Sequence, residues 1–283
     1  MSKFALLPSP NSAARLLCAA LLALAATAWA EAPLPQWTFE DPAGDDDGPG
    51  TFVYPTDAVY APGSFDLRKV AIEDKGDDVE FRVTIQARID DPWTSKDWDG
   101  NGFSLQFVQI YIDTDHQRGS GFTAPLPGLG GLQFAQDEAW DKVVLISPQG
   151  KMRLSSEVRY KAGKMKDAAI IPIKTSVRGK TLRATVSKKL LGQPTKAWGW
   201  QAAMQSNEGY PDKTDILTRR VNEMRGAHRF GGGDDSECDP HVIDILAGRA
   251  KGEASEAAAQ HKALAWKCGS QTAQMPMIYP AAR

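Results

Sequence analysis

"VEFRVTIQARI" (residues 79–89) decides the fold class. Val79, Phe81, Val83, Ile85, Ala87 and Ile89 occupy alternate positions, and Glu80, Arg82, Thr84, Gln86 and Arg88 lie between them. A period of two sends one set to a core and the other to water, which is the pattern of a half-buried strand. Downstream, "SLQFVQIYID" (residues 104–113) also alternates, but both of its faces carry apolar residues. It reads as a central strand. Shorter candidates follow at residues 142–146, 154–158, 168–173, 181–186 and 199–204, separated by Pro and Gly clusters. "PLPGLGGLQ" (residues 125–133) reads as a long loop. Many short strands at this spacing predict an all-β sandwich. Helix is expected only near the C-terminus, over residues 242–247 after Asp239-Pro240 and over the Ala-, Glu-, Gln- and Lys-rich residues 253–266.

The N-terminus has the pattern of an export signal. Lys3 and Arg15 precede an apolar run over residues 16–26, then Ala28-Trp29-Ala30, then a polar stretch from Glu31. This predicts a secretory signal peptide at residues 1–30, cleaved after Ala30, and a single sandwich domain over residues 31–283. The run is shorter than the roughly 20 residues that span a bilayer, and no second such run follows, so no transmembrane segment is expected after cleavage. Leu17 before Cys18 is too bulky for a lipid-attachment signal. The expected location is the periplasm, the cell surface or the medium.

Bulk charge excludes one class of partner. Of 283 residues, 33 are Lys or Arg and 35 Asp or Glu, giving a net charge of −2 with no basic block, so nucleic acid is not expected. Cleavage removes Cys18 and leaves Cys238 and Cys268, an even pair in an oxidising compartment, and a disulfide is expected.

Several longer motifs carry a resemblance. "DPAGDDDGPGTFVYPTDAVYAPGSFDL" (residues 41–67), "DPWTS" (91–95), "NGFSLQFVQIYIDTD" (101–115), "RFGGGDDSECDPHVIDIL" (229–246) and "PMIYP" (276–280) occur in order along nearly the whole mature chain. Together they resemble the glucodextranase C-terminal domain family. The resemblance implies a jelly-roll-like β-sandwich, similar to carbohydrate-binding and DOMON-like sandwiches, with an accessory role at the bacterial or archaeal surface. It does not imply hydrolysis, which in those enzymes belongs to a separate α-helical barrel that this chain has no room for. The chain departs from the family pattern at three places. His228 stands before "RFGGG" where the family carries an aromatic residue, "KDWDG" (residues 96–100) is an insertion, and the two cysteines are not a family hallmark.

Two acidic stretches are candidates for calcium, which takes six to eight hard oxygens. Asp45, Asp46 and Asp47 crowd one glycine-rich turn, and Asp113 and Asp115 share a strand end. Structural calcium and a solvated turn capped by Asx hydrogen bonds both fit these spacings. Asp97, Asp99 and Asn101 match only half of an EF-type loop, with Val108 where a bidentate Glu belongs. "GGGDD" (residues 231–235) lacks the Lys-Ser/Thr tail of a phosphate loop. No nucleophile motif, zinc helix or paired haem ligand is present among His116, His228, His241 and His261.

Sugar binding needs flat aromatic faces beside polar groups. Trp98 lies between Asp97 and Asp99, and Trp93 and Trp140 lie near loop signals, so these three are the candidate stacking residues. Trp198 and Trp200 share a strand face and are expected in the core. The sequence therefore predicts a non-catalytic, exported module for a polysaccharide or envelope glycan, with calcium as its candidate structural cofactor. A structural or assembly protein without a sugar site is the alternative; an α-glucan hydrolase is a weaker one.

Overall fold

The computed structural model describes residues 36–248 and 255–280. The expected signal peptide and its cleavage site lie outside these residues. In chain order the strands are β1 (Trp37–Glu40), β2 (Leu67–Lys75), β3 (Asp78–Ile85), β4 (Gln106–Asp113), β5 (Leu132–Gln133), β6 (Lys142–Ile146), β7 (Ala169–Ile170), β8 (Lys174–Arg178), β9 (Thr181–Ser187), β10 (Gly199–Ser206), β11 (Asp244–Ile245) and β12 (Ala273–Gln274). The helices are α1 (Lys151–Lys161), α2 (Lys188–Leu191) and α3 (Glu256–Ala263).

Two five-stranded sheets form the sandwich. The first has the order β1–β2–β3–β9–β8 and is antiparallel throughout. The second has the order β11–β10–β4–β6–β7 and is antiparallel except for the β6–β7 pair. Tight turns fix the register of the first sheet. Lys75 pairs with Asp78 across Gly76-Asp77, and Arg178 pairs with Thr181 across Gly179-Lys180. Gly76 and Gly179 have φ of +75° and +63°, angles that a residue with a Cβ adopts only with strain.

The period-two stretch forms β3 as far as Ile85 and leaves the strand at Gln86, short of the expected end at Ile89. Val79, Phe81, Val83 and Ile85 of β3 are buried and the residues between them are half-buried. They pack with Leu182, Ala184 and Val186 of β9 against Val108, Ile110 and Ile112 of β4, which closes the core between the sheets. Each such side chain contributes about 1.5–3 kcal/mol on burial.

Every residue of β4 is buried, because the second sheet is covered on both faces. Its other face, through Phe107 and Tyr111, meets Leu154 and Val158 of α1, Ala259 of α3, and Met275 and Met277. This outer layer of helices and loops makes β4 the central strand that its two-faced pattern suggested.

Two expected elements differ. Residues 154–158 lie in α1, not in a strand. Leu154 and Val158 are four apart and share the buried face of a helix, and a short run does not distinguish the two periods. Residues 242–247 are not helical. They hold β11, where Ile243 and Leu246 enter one core while Val242 and Ile245 enter the other, so the run is apolar because both its faces are covered. The C-terminal helix forms as α3, capped by the Ser255 side chain, which accepts from the Ala258 N–H at 3.2 Å. None of the helices among the described residues is long and apolar enough to cross a membrane.

Candidate functional site

The ends of β4, β6 and β10 meet at one edge of the second sheet, where Gln106 pairs with Ser206 and Ile146 with Val108. The chain segments that continue from these ends enclose a cleft of about 560 Å³. Trp93 and Trp98 come from the segment before β4, Gln149 from the turn between β6 and α1, Arg153 from the first turn of α1, and Asn207, Glu208 and Tyr210 from the turn after β10. Arg219 and His228 complete the wall.

The aromatic residues are held in place. Trp98 ends a single 3-10 turn (Ser95–Trp98), is 37% exposed, and its indole Nε1–H donates to the Trp93 carbonyl at 3.1 Å. That turn is anchored by Asp91, whose carboxylate accepts from the Ser95 N–H at 2.9 Å and the Ser95 hydroxyl at 2.8 Å. Trp93 lies under the Arg219 guanidinium, 5.6 Å from the ring centre, and meets His228 edge to face at 5.8 Å. Arg219 donates to the Tyr60 hydroxyl at 2.9 Å and to the His228 carbonyl at 2.8 Å, and pairs with Glu208 at 3.2 Å. Tyr210 projects from the cleft rim, 93% exposed, on a turn pinned by Glu208, which accepts from the Tyr210 N–H at 3.0 Å.

This arrangement offers ring faces beside fixed amides, a guanidinium and a carboxylate, the mixture that matches a sugar ring with an apolar face and a hydroxyl rim. His228 and Trp98, from the two segments expected to depart from the family pattern, both line this one cleft. Sequence reasoning missed Tyr210, Arg153 and Arg219. "NEGY" (residues 207–210) carried a signal, an aromatic residue in a turn directly after a strand.

Trp140 takes no part, contrary to expectation. It is fully buried in the outer core, with Phe122 at 4.9 Å, Tyr111 at 5.1 Å, and its Nε1–H donating to the Ala124 carbonyl at 2.9 Å. The loop signals beside it belong to a segment that folds back over the sheet. Trp200 is fully buried and Trp198 nearly so, as core residues.

The expected acidic cage at residues 45–47 does not form as one group. Asp46 accepts from the Tyr54 hydroxyl, and Asp47 bonds His261 of α3 at 2.9 Å. Only Asp45 turns inward, to meet Asp41, Asp66, Asp244 and Glu256. A chain of three adjacent side chains cannot converge when the turn aims each one differently. At the other candidate, Asp113, Asp115 and Asp141 do lie within reach of one ion. Protein donors already serve them. Asp113 accepts from the His116 N–H at 2.7 Å and the Tyr279 hydroxyl at 2.7 Å, Asp115 from the Ser120 hydroxyl at 2.8 Å, and Asp141 from the Thr114 N–H at 2.7 Å.

The inward acids pay heavily for their position. Burial, with repulsion from Glu256 and Asp45, pushes the Asp41 carboxyl up to about 10. Burial and repulsion from Glu256 push Asp45 to about 7, and burial pushes Asp66 to about 6. Burial and the neighbouring Asp41 push Asp244 well above the carboxylate range.

Cys238 and Cys268 stand at disulfide distance, their Cα atoms 5.4 Å apart. They close a loop that contains β11 and α3.

No curated protein matches the chain. A family model does, over residues 37–280, that of the SLH-like C-terminal binding module of glucodextranase, and the chain belongs to that family.

Proposed function

We propose that the protein is a non-catalytic, exported module that binds a polysaccharide or envelope glycan in the cleft of Trp93, Trp98 and Tyr210. The observation that carries this reading is the pairing of exposed indole and phenol faces with fixed polar groups in one cleft. Membership of a binding-module family supports it. So does Glu208, the acid in the cleft wall, which is held by Arg219 at 3.2 Å and Arg229 at 3.7 Å and offers a fixed acceptor for a sugar hydroxyl. The cysteine pair and the N-terminal signal pattern support export.

Affinity electrophoresis tests the reading. Wild-type protein is expected to be retarded in gels containing a soluble α- or β-glucan, and Trp98→Ala to lose that retardation. Failure of the wild type to bind any glucan or envelope glycan on an array would overturn the reading in favour of an assembly role.

A further inference from the structure

Beyond the cleft, one cluster has no account in terms of sugar binding. Asp41 follows β1, Asp45 lies in the next turn, Asp66 precedes β2, Asp244 is in β11 and Glu256 is in the first turn of α3. Asp41, Asp45, Asp66 and Asp244 are at most 5% exposed. Fixed donors hold three of the carboxylates by one oxygen each. Asp66 Oδ2 accepts from the Gly44 N–H at 2.7 Å, Asp244 Oδ2 from the Leu67 N–H at 2.6 Å, and Glu256 Oε1 from the Gly248 N–H at 2.9 Å. Their other oxygens, Asp66 Oδ1, Asp244 Oδ1 and Glu256 Oε2, and both oxygens of Asp41 and of Asp45 receive no N–H or O–H from outside the cluster, and the Glu256 carboxyl faces those of Asp41 and Asp45.

An isolated buried carboxylate is among the costliest groups a fold can hold, and five together are costlier still. Oxygens from Asp41, Asp45 and Glu256 lie within 4.8 Å of one another, and so do oxygens from Asp45, Asp66 and Asp244. Two oxygens on one Ca²⁺ are at most about 5 Å apart, given bonds of roughly 2.3–2.6 Å. The oxygens without an outside donor number seven, within the six to eight that Ca²⁺ takes, and all come from hard carboxylates. Mg²⁺ keeps several waters, which a buried all-carboxylate site does not accommodate well.

We propose that Asp41, Asp45, Asp66, Asp244 and Glu256 form a buried calcium-binding cage with Asp45 as its central ligand. The cation joins the segment before β2, the edge strand of the second sheet and α3, which are far apart in sequence. Its two positive charges offset part of the carboxylate repulsion that otherwise opposes their packing. The proposal stands apart from the glycan reading, since none of its residues lines the cleft.

The test uses the purified full chain and Ca²⁺ alone as the probe. After chelator treatment, metal analysis on dialysis against millimolar calcium is expected to recover at least one Ca²⁺ per chain. Calcium is expected to raise the Tm of the stripped protein by about 5–10 °C, as saturation of a site on a domain of this size does, and Mg²⁺ to raise it less. Glu256→Gln, at the half-buried rim, is expected to fold and to weaken calcium affinity at least tenfold. Asp45→Asn is expected to abolish the response, and Asp113→Asn to leave it unchanged. The proposal is overturned if the stripped protein takes up no calcium, or if its Tm ignores both chelator and calcium, for the five carboxyls then share protons instead. It is also overturned if Glu256→Gln binds as the wild type does while Asp113→Asn loses the ion.

Discussion

The Trp98 indole N–H donates to the carbonyl of Trp93 at 3.1 Å, so the two tryptophans of the cleft are positioned as one unit. Trp98 keeps more than a third of its surface in water while its polar atom is already satisfied. A face so held loses little entropy on stacking against a sugar.

This pair separates binding from stability. Trp98→Ala removes an exposed ring and one hydrogen bond, so its stability cost is expected to be about 1 kcal/mol or less. If the ring is the central anchor, glycan affinity falls at least thirtyfold, about 2 kcal/mol. Isothermal titration and thermal melts on the same sample check both. A loss of several kcal/mol in stability would mean that Trp98 packs rather than binds.

Arg219 backs the cleft and belongs to its framework. It spans Trp93, Tyr60, the His228 carbonyl and Glu208 from a side chain only 10% exposed. Arg219→Ala leaves Glu208 with the longer Arg229 contact as its ion pair and removes the donor to the His228 carbonyl. A destabilisation of about 2–4 kcal/mol is expected, read as a shift of the urea midpoint at constant slope. Arg219→Lys retains the charge but not the planar fork, and is expected to recover only part of the loss.

The sandwich was legible because its deciding stretch has one buried and one wet face, and β3 forms where that alternation runs. Legibility failed where burial was complete. In residues 242–247 both faces are covered, so the alternation vanishes and the run reads as helix or strand alike. The cleft was half legible. Trp98 was flagged by its acidic neighbours, but Arg153 of α1 and Tyr210 and Arg219 of separate loops are gathered only by the fold. The inward acids had a quieter signal. Asp66 in "SFDL" and Asp244 in "VIDIL" are single charges inside apolar runs, where a charge is buried and needs a partner, whereas the three adjacent acids drew attention by number and then diverged.

Asp215 sets part of the acid limit of stability. Burial acts to raise its carboxyl, but the Arg220 Nε–H, donating at 2.6 Å, prevails and holds it below the usual value of 3.8. A carboxyl depressed in the folded state stabilises the fold above its unfolded value. That contribution is lost as pH falls from about 4 through the lower folded value. Asp215→Asn is therefore expected to be less stable than wild type at pH 7 and to lose stability less steeply below pH 4. Denaturation midpoints between pH 7 and 2 check it, and parallel wild-type and variant profiles would count against it.

Cys238 and Cys268 are 30 residues apart, and the loop between them carries both Asp244 and Glu256. Closing a loop of that length restricts the unfolded chain by roughly 3–4 kcal/mol in the chain-entropy model. For a domain of this size, that corresponds to a Tm higher by roughly 6–16 °C. Cys238→Ser with Cys268→Ser is expected to melt lower by about that amount while retaining glycan affinity, because neither residue lines the cleft. The wild type treated with reductant should match the double variant. Two free thiols in unreduced, denatured wild-type protein would show that the bond does not form, and equal melts for wild type and variant would show that it adds nothing to stability.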